Sequence, residues 1–347
     1  MRFAPRGWSK VAKVGIVASS LLLVLAPQVL FGYGQGNGVA YPLSDGALHG
    51  HRIAVVKPIF TATAYSSFYD FYAANQDASA EARVTRPASL HLLDASIVDT
   101  WGWSQGLRDF VNARLRAASP AILTDLDVHQ GRLFHNGSRA YDVLILGFSE
   151  YVTADEYHQY QSFAAGGGTI IFVDATQFLA EVEYHPGSGT LSLVEGHGWT
   201  FDGTSAWRGP WHRWFDQNKE WVGSNYGVAV SDRAIAFHGA SASGGHPVGK
   251  ALQAAFGRDT TLFKSYRHHE ENQLLNPDAT VIARWYVSGA SSGSVVAAYE
   301  LRYGAGRVLH TGVSGSDIVG TDAQMQYLVL SMLSYGLAGY EPHAHAV

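Results

Sequence analysis

"YDVLILGFSEYVTADEY", Tyr141 to Tyr157, decides the fold. Val143 to Leu146 is apolar at every position, which marks a strand buried on both faces. "GFS" then ends it. Thr153 is a natural N-cap, and Glu156 three residues on completes a capping-box pattern, so a helix is predicted to follow. "GGGTIIFVDA" comes next, with glycines to end the helix and a second fully apolar strand. Strand, helix, strand with doubly buried strands predicts a mostly parallel α/β sheet covered by helices on both faces.

The pattern extends outward. "HRIAVVKPIF" (51–60) reads as a first strand, and "SFYDFYAAN" begins a helix. Leu107, Phe110, Val111 and Leu115 form a helical stripe in "WSQGLRDFVNARLRAA". "AILTDLDV" is a further strand. Residues 183–226 lack a clear period and carry five tryptophans, Trp199, Trp207, Trp211, Trp214 and Trp221. This stretch reads as an insertion whose rings fill an irregular core, with sugar stacking as the alternative. His197 and His212 within it read as packed histidines. A helix over 246–256, a strand "TVIARWYV", a hairpin turning at Gly304 to Gly306 and a last helix over 322–340 complete the domain, 51–340. Residues 341–347 form a tail.

The N-terminus suggests location. Arg2, Arg6, Lys10 and Lys13 lie in a basic flank, 1–13, ahead of "VGIVASSLLLVLAPQVLFGY", 14–33, which has no charge. Twenty such residues can span a bilayer. The flank would stay cytoplasmic and put the remainder outside the cell. The alternative is a cleaved signal peptide and a secreted protein. Residues 34–50, rich in Gly and polar residues, read as a linker.

Composition excludes whole classes of chemistry. The 347 residues include no cysteine, so there is no thiol nucleophile, no disulfide and no Cys-ligated metal. With 24 basic residues against 29 acidic ones and no basic patch, nucleic acid is not an expected partner. Hydrophobic residues make up 47% and charged ones 15%, which favours a large folded core.

In doubly wound sheets, ligands bind beyond the carboxyl ends of the strands. Tyr65, Glu150 and Tyr151 all follow apolar strands predicted to be parallel neighbours. Glu150 can be a general base or simply a carboxylate at a helix N-terminus. Asp174 in "FVDATQF" can be a carboxylate nucleophile or a helix cap. "RHHEEN" (267–272) concentrates His268, His269, Glu270 and Glu271. It is either a site segment, with His269 as a base, or a solvated loop.

"YDVLILGFSEYVTADEY…FAAGGGTIIFVDATQF" resembles the class I glutamine-amidotransferase-like fold. More narrowly, it resembles the C-terminal domain of the N,N-dimethylformamidase large subunit, with its Ser-Glu-Tyr signature. The resemblance implies a flavodoxin-like three-layer sandwich. It also implies a single iron held by two tyrosines and a glutamate. These map onto Tyr151 in the signature, Tyr65 in "TATAYSSFY" and Glu270 in "HHEENQLLNPDATVIARW", with the adjacent Glu271 as the alternative carboxylate and Asn272 in place of the family's acid. Phenolates and carboxylates are hard donors that suit Fe(III) better than Mn or Zn. The equivalent of the amidotransferase cysteine is missing, so thiol-dependent glutamine hydrolysis is excluded. The expected function is a membrane-anchored, extracytoplasmic, metal-dependent hydrolase of amide or similar C–N bonds. The alternative is a non-catalytic cell-surface module that binds a small molecule or surface glycan.

Overall fold

The computed structural model describes residues 43, 48–74, 89–100, 102–197, 199–201, 206–208, 212–231, 235–238, 245–256, 260–263, 268–287, 295–312 and 315–340. The expected membrane helix over 14–33 lies outside them. No helix among the described residues is long and apolar enough to cross a membrane.

In chain order the principal elements are β1 (Ile53–Lys57), α1 (Ile59–Ala74), α2 (Gly102–Phe110), β2 (Ala121–Thr124), α3 (Asp125–His129), β3 (Val143–Leu146), β4 (Ser149–Val152), α4 (Ala154–Ala165), β5 (Thr169–Phe172), β6 (Gln177–His185) and β7 (Thr190–Glu195). These are followed by α5 (Phe215–Trp221), β8 (Ser224–Ser231), α6 (Pro247–Phe256), β9 (His268–Leu274), β10 (Thr280–Val287), β11 (Val295–Tyr303), β12 (Gly306–Thr311) and α7 (Ala323–Leu337).

A nine-stranded sheet forms the centre. Its parallel part runs β2-β1-β3-β5-β12. β11 and β10 then add antiparallel, followed by Ile235–His238 and Thr260–Phe263. Half of the pairings are antiparallel, so the sheet is mixed rather than mostly parallel. The change of direction begins at the hairpin at Gly304. Gly304 has φ +57, and a Cβ there would lie 2.5 Å from the carbonyl oxygen of Ala165. The turn returns the chain at once, and β11 can only pair antiparallel.

Alternation along the strands divides the core. Ile53, Val55, Val143 and Ile145 face α2 and α7. Ala54, Val56, Leu144 and Leu146 face α3 and α4. Each fully buried Val, Leu or Ile contributes roughly 1.5–3 kcal/mol relative to exposure. "AILTDLDV" does not continue as a strand past Thr124. Thr124 and Asp127 form a reciprocal capping box that starts α3. The predicted box at Thr153 is only half made: Thr153 accepts from the Glu156 N–H at 3.1 Å, but the Glu156 side chain turns inward. The helix expected over 103–118 is α-helical only to Phe110, with a π-helical stretch at Val111–Leu115.

Residues 183–226, read as an insertion, share strands with their surroundings. The β6–β7 hairpin belongs to a second sheet, with order Ser89–His91, β7, β6, β4. Trp221 is fully buried, and its Nε1 donates to Tyr157 Oη at 2.7 Å. Trp214 stacks on Tyr157 with centroids 4.1 Å apart. These rings fill the core, as expected.

Glu156 meets a second buried carboxylate, Asp125. Asp125 Oδ2 accepts from the Phe60 N–H at 2.6 Å, and Tyr160 donates to Glu156 at 2.9 Å. Burial raises both groups, Asp125 from 3.8 to about 7. The native state therefore holds protons that the unfolded chain releases. The associated stability is complete below about pH 4 and is lost as pH rises through about 7. Urea unfolding across that window should show falling stability in the wild type and a flatter profile in Asp125→Asn. An unchanged profile would remove Asp125 as the cause.

Candidate functional site

The site begins where β1 ends. Pro58 sets the start of α1, and its carbonyl accepts from the Ala62 N–H at 3.0 Å. Thr61 faces β4: the Tyr151 N–H donates to Thr61 Oγ1 at 3.0 Å, and that hydroxyl donates to the Tyr151 carbonyl at 3.4 Å. Tyr65 is one helical turn further on and so lies on the same face. It is half-buried, and its ring meets Tyr151 edge-on at 6.0 Å. Tyr65 thus sits on a helix rather than at a strand end. The strands that lead to the two tyrosines, β1 and β3, are parallel neighbours as expected.

The sequence suggests that Glu150 and Tyr151 occupy a turn before a helix. They lie instead on β4, fully buried and parallel to β6. Neighbours on a strand leave on opposite faces. Here the ladder is irregular: Ser149 pairs with Gln177 but Tyr151 pairs with Ala180, so β6 carries an extra residue. Phe178 in that segment has φ +54, an uncommon conformation for an aromatic residue. Such bulges re-aim side chains beside functional sites.

The outcome is a cluster around Glu150. Tyr65 Oη donates to Glu150 Oε2 at 2.5 Å, a short charge-assisted bond. His197 Nε2 lies 2.6 Å from Glu150 Oε1, with both side chains fully buried. Tyr151 Oη is 3.3 Å from the same His197 nitrogen. The helix-dipole role considered for Glu150 is therefore not its arrangement. His197 is the residue that sequence reasoning missed. It stands in "VEGHGW" just past β7, and no spacing connects it to Glu150, 47 positions earlier.

A second group of acids lies at the end of β5. "RHHEEN" is not a solvated loop: 268–274 form β9, paired antiparallel with β8. Glu270 and Asn272 are both buried and share one face of that strand. Asn272 Nδ2 donates to the Thr311 carbonyl at 3.4 Å and contacts His310 Nδ1 at 2.9 Å. It anchors β9 to β12 and so fixes Glu270 two residues earlier. Glu270 Oε2 accepts from the Thr176 hydroxyl. Asp174 is buried beside it, at the β5 end, and accepts from the Ser316 N–H at 3.2 Å. It caps a short helix far along the chain, Gly315–Ile318, rather than the segment that follows it. Burial raises Asp174 well above the usual carboxylate range, the Ser316 hydroxyl opposes this, and Glu270 adds to the rise. His269 pairs with Val230 through its backbone; its side chain lies outside what the structure describes.

The structure thus brings Tyr65, Glu150 and Tyr151 together with His197, and places Glu270 with Thr176 near Asp174. Among the described residues no group of three His, Asp or Glu side chains could hold a metal. That count leaves out phenols. Around Glu150 the donors are two phenols, one carboxylate and an imidazole, which fit a hard ion in chemical type, while the contacts of Glu270 are with Thr176 and Asp174.

A search of curated proteins finds no match to the chain. Among solved structures, a β-galactosidase from G. stearothermophilus superposes with TM-score 0.46 at 13% identity, covering 83% of this chain and 30% of that one. The β-galactosidase from Bacillus circulans sp. alkalophilus gives 0.46 at 14%, covering 85% and 32%. A putative ThuA-like protein from Bacteroides uniformis gives 0.43 at 12%, covering 70% and 87%. The chain spans about a third of the length of the two galactosidases, and likenesses at this level carry no statement about activity. The family model for the N,N-dimethylformamidase beta subunit-like C-terminal domain matches residues 43–313, most of the chain and all of the site. The chain belongs to the family of N,N-dimethylformamidase beta subunit-like C-terminal domains.

Proposed function

We propose that this domain hydrolyses an amide or similar C–N bond of a small molecule, with Glu150 as the base. The observation that carries the proposal is the buried Tyr65–Glu150–His197–Tyr151 cluster in a chain of this family. Tyr65, Tyr151 and Glu270 would hold a single metal ion, Fe(III) in preference to others. Such an ion, when bound, polarises a carbonyl and acidifies water. The residues of the chain do the rest. Glu150 accepts a proton from the attacking water as its oxygen bonds to the carbonyl carbon. His197, 2.6 Å from Oε1, holds the Glu150 carboxylate in place, and the Tyr65 hydroxyl that donates to Oε2 would give up its proton on binding the ion. The proton then passes to the nitrogen as the C–N bond breaks, which releases a carboxylic acid and an amine. His269 remains the second candidate to carry that proton.

The finer fold reading, a flavodoxin-like sandwich of glutamine-amidotransferase type, belongs with this proposal. So does anchoring through 14–33 with the domain outside the cell. Protease treatment of intact cells should release the domain, and full protection would contradict the anchoring.

One observation favours a second reading. Glu150 Oε2 accepts from Tyr65, and Oε1 lies 2.6 Å from His197 Nε2, contacts that a purely structural cluster would also make. On that reading the domain is a binding module that kept the fold without the chemistry. Amine release from N,N-dimethylformamide and related formamides by the iron-reconstituted chain separates the two. Glu150→Gln should lower the rate by about 10²–10⁴-fold. No amine release from any formamide would leave the binding module standing.

A further inference from the structure

A cavity of about 430 Å³ opens on the α2 face of the sheet, beside the edge strand β2. Its size falls within the roughly 300–1,000 Å³ of small-molecule sites. None of Tyr65, Glu150, Tyr151, His197 or Glu270 lines it. It lies at the carboxyl ends of β1 and β3, where Lys57 and Gly147 reach its wall. The chain passes from β1 to β2 on one side and later to β3 on the other, so this is a reversal point in strand order, the usual position of ligand crevices.

Three independent features of the backbone and surface converge on this cavity. The π-helical stretch supplies Val111 and Asn112 to the lining, and π-turns inside helices often mark functional positions. Ser119, also in the lining, has φ +46, a left-handed conformation that non-glycine residues seldom adopt. Ile122 on the edge strand is 47% exposed, one of two large hydrophobic residues so exposed among the described residues. An open apolar edge is a liability that proteins usually cover.

The walls combine two characters. Val55, Leu107, Val111 and Ile122 make an apolar surface. Lys57, Arg108 and Arg116 bring three cations against one lining acid, Asp99. Lys57 is paired with Asp99 at 2.7 Å, and Arg108 donates to the Asp99 carbonyl at 2.9 Å and to Asp109 at 2.8 Å. Arg116 is exposed at the rim and makes no ion pair among the described residues.

The geometry points to a second ligand site here, for a small amphipathic anion with an apolar body and one carboxylate. The body covers Ile122 and fills the wall of β1, α2 and the π-turn. The carboxylate meets Arg116, whose planar guanidinium suits a two-point bond to it. This site does not depend on amide hydrolysis at Glu150.

Calorimetric titration of octanoate into the full chain tests it, with octylammonium as the probe of equal tail and opposite charge. Octanoate should bind saturably and octylammonium should not. Arg116→Glu and Ile122→Asp, both at exposed positions, should each weaken octanoate on the order of tenfold, about 1.4 kcal/mol. Tyr151→Phe should leave octanoate binding unchanged, even where it removes activity. Circular dichroism melts confirm that each variant is folded. No saturable binding by the folded wild type would overturn the site. Equal binding of octylammonium, or unchanged affinity in folded Arg116→Glu, would overturn it too.

Discussion

Glu150→Ala is expected to lower the unfolding free energy by about 1–3 kcal/mol, the usual effect of leaving a buried polar partner unsatisfied. The truncation leaves His197 fully buried without the carboxylate 2.6 Å away, and it removes the acceptor of the Tyr65 hydroxyl. A double-mutant cycle locates the effect. In a His197→Ala background the same change should cost less, because the partner it orphans is already gone. Equal losses in both backgrounds would mean that Glu150 and His197 do not interact. A single-variant loss well below about 1 kcal/mol would mean that the contact contributes no more than an exposed one, contrary to its burial.

Trp221→Ala should cost more, about 3–5 kcal/mol, for a different reason. The indole is fully buried, stacks against Phe178 at 5.7 Å and meets Phe172 at 6.5 Å. Removing it leaves a cavity and takes away the Nε1 donor to Tyr157 Oη. Tyr157 retains the acceptor Asn218 Oδ1 at 3.1 Å, so the lost volume dominates. Trp221→Phe keeps most of the ring and should recover more than half of the loss. Denaturant midpoints at constant m-value measure both variants. A near-neutral Trp221→Ala would imply that the aromatic segment packs loosely and has another role.

The contrast between these two residues shows what was legible in the sequence. Val143–Leu146 and Thr169–Phe172 are apolar on both faces, so their burial in a parallel sheet could be read directly. Trp221 could be assigned to the core because an aromatic-rich stretch without period has few other uses. Tyr151 was singled out through the Ser-Glu-Tyr signature, and it lies beside Tyr65 and His197. Glu150 was legible as a candidate but not in its setting. Its position on β4 depends on pairing with β6 and on an irregular ladder at Phe178, and neither has a local signal. His197 was read as a packed residue because its partner is distant in sequence. The antiparallel half of the sheet begins at the tight return at Gly304, which turns β11 back on β12 and departs from the expectation of a mostly parallel fold. Asn272, where the resemblance implies an acid, holds β9 against β12 and so sets the place of Glu270.

The central claim is that Tyr65, Tyr151 and Glu270 form a metal site. It is tested most directly by metal analysis and visible absorption of the purified chain after reconstitution with iron. Wild type is expected to bind stoichiometric iron and to be coloured by charge transfer from phenolate. Tyr151→Phe keeps the ring and its packing but removes one donor oxygen. It should lose both the colour and the metal while melting like wild type. Tyr157→Phe on α4 should keep both. A folded wild type that stays colourless and metal-free after exposure to iron, manganese and zinc would contradict the claim.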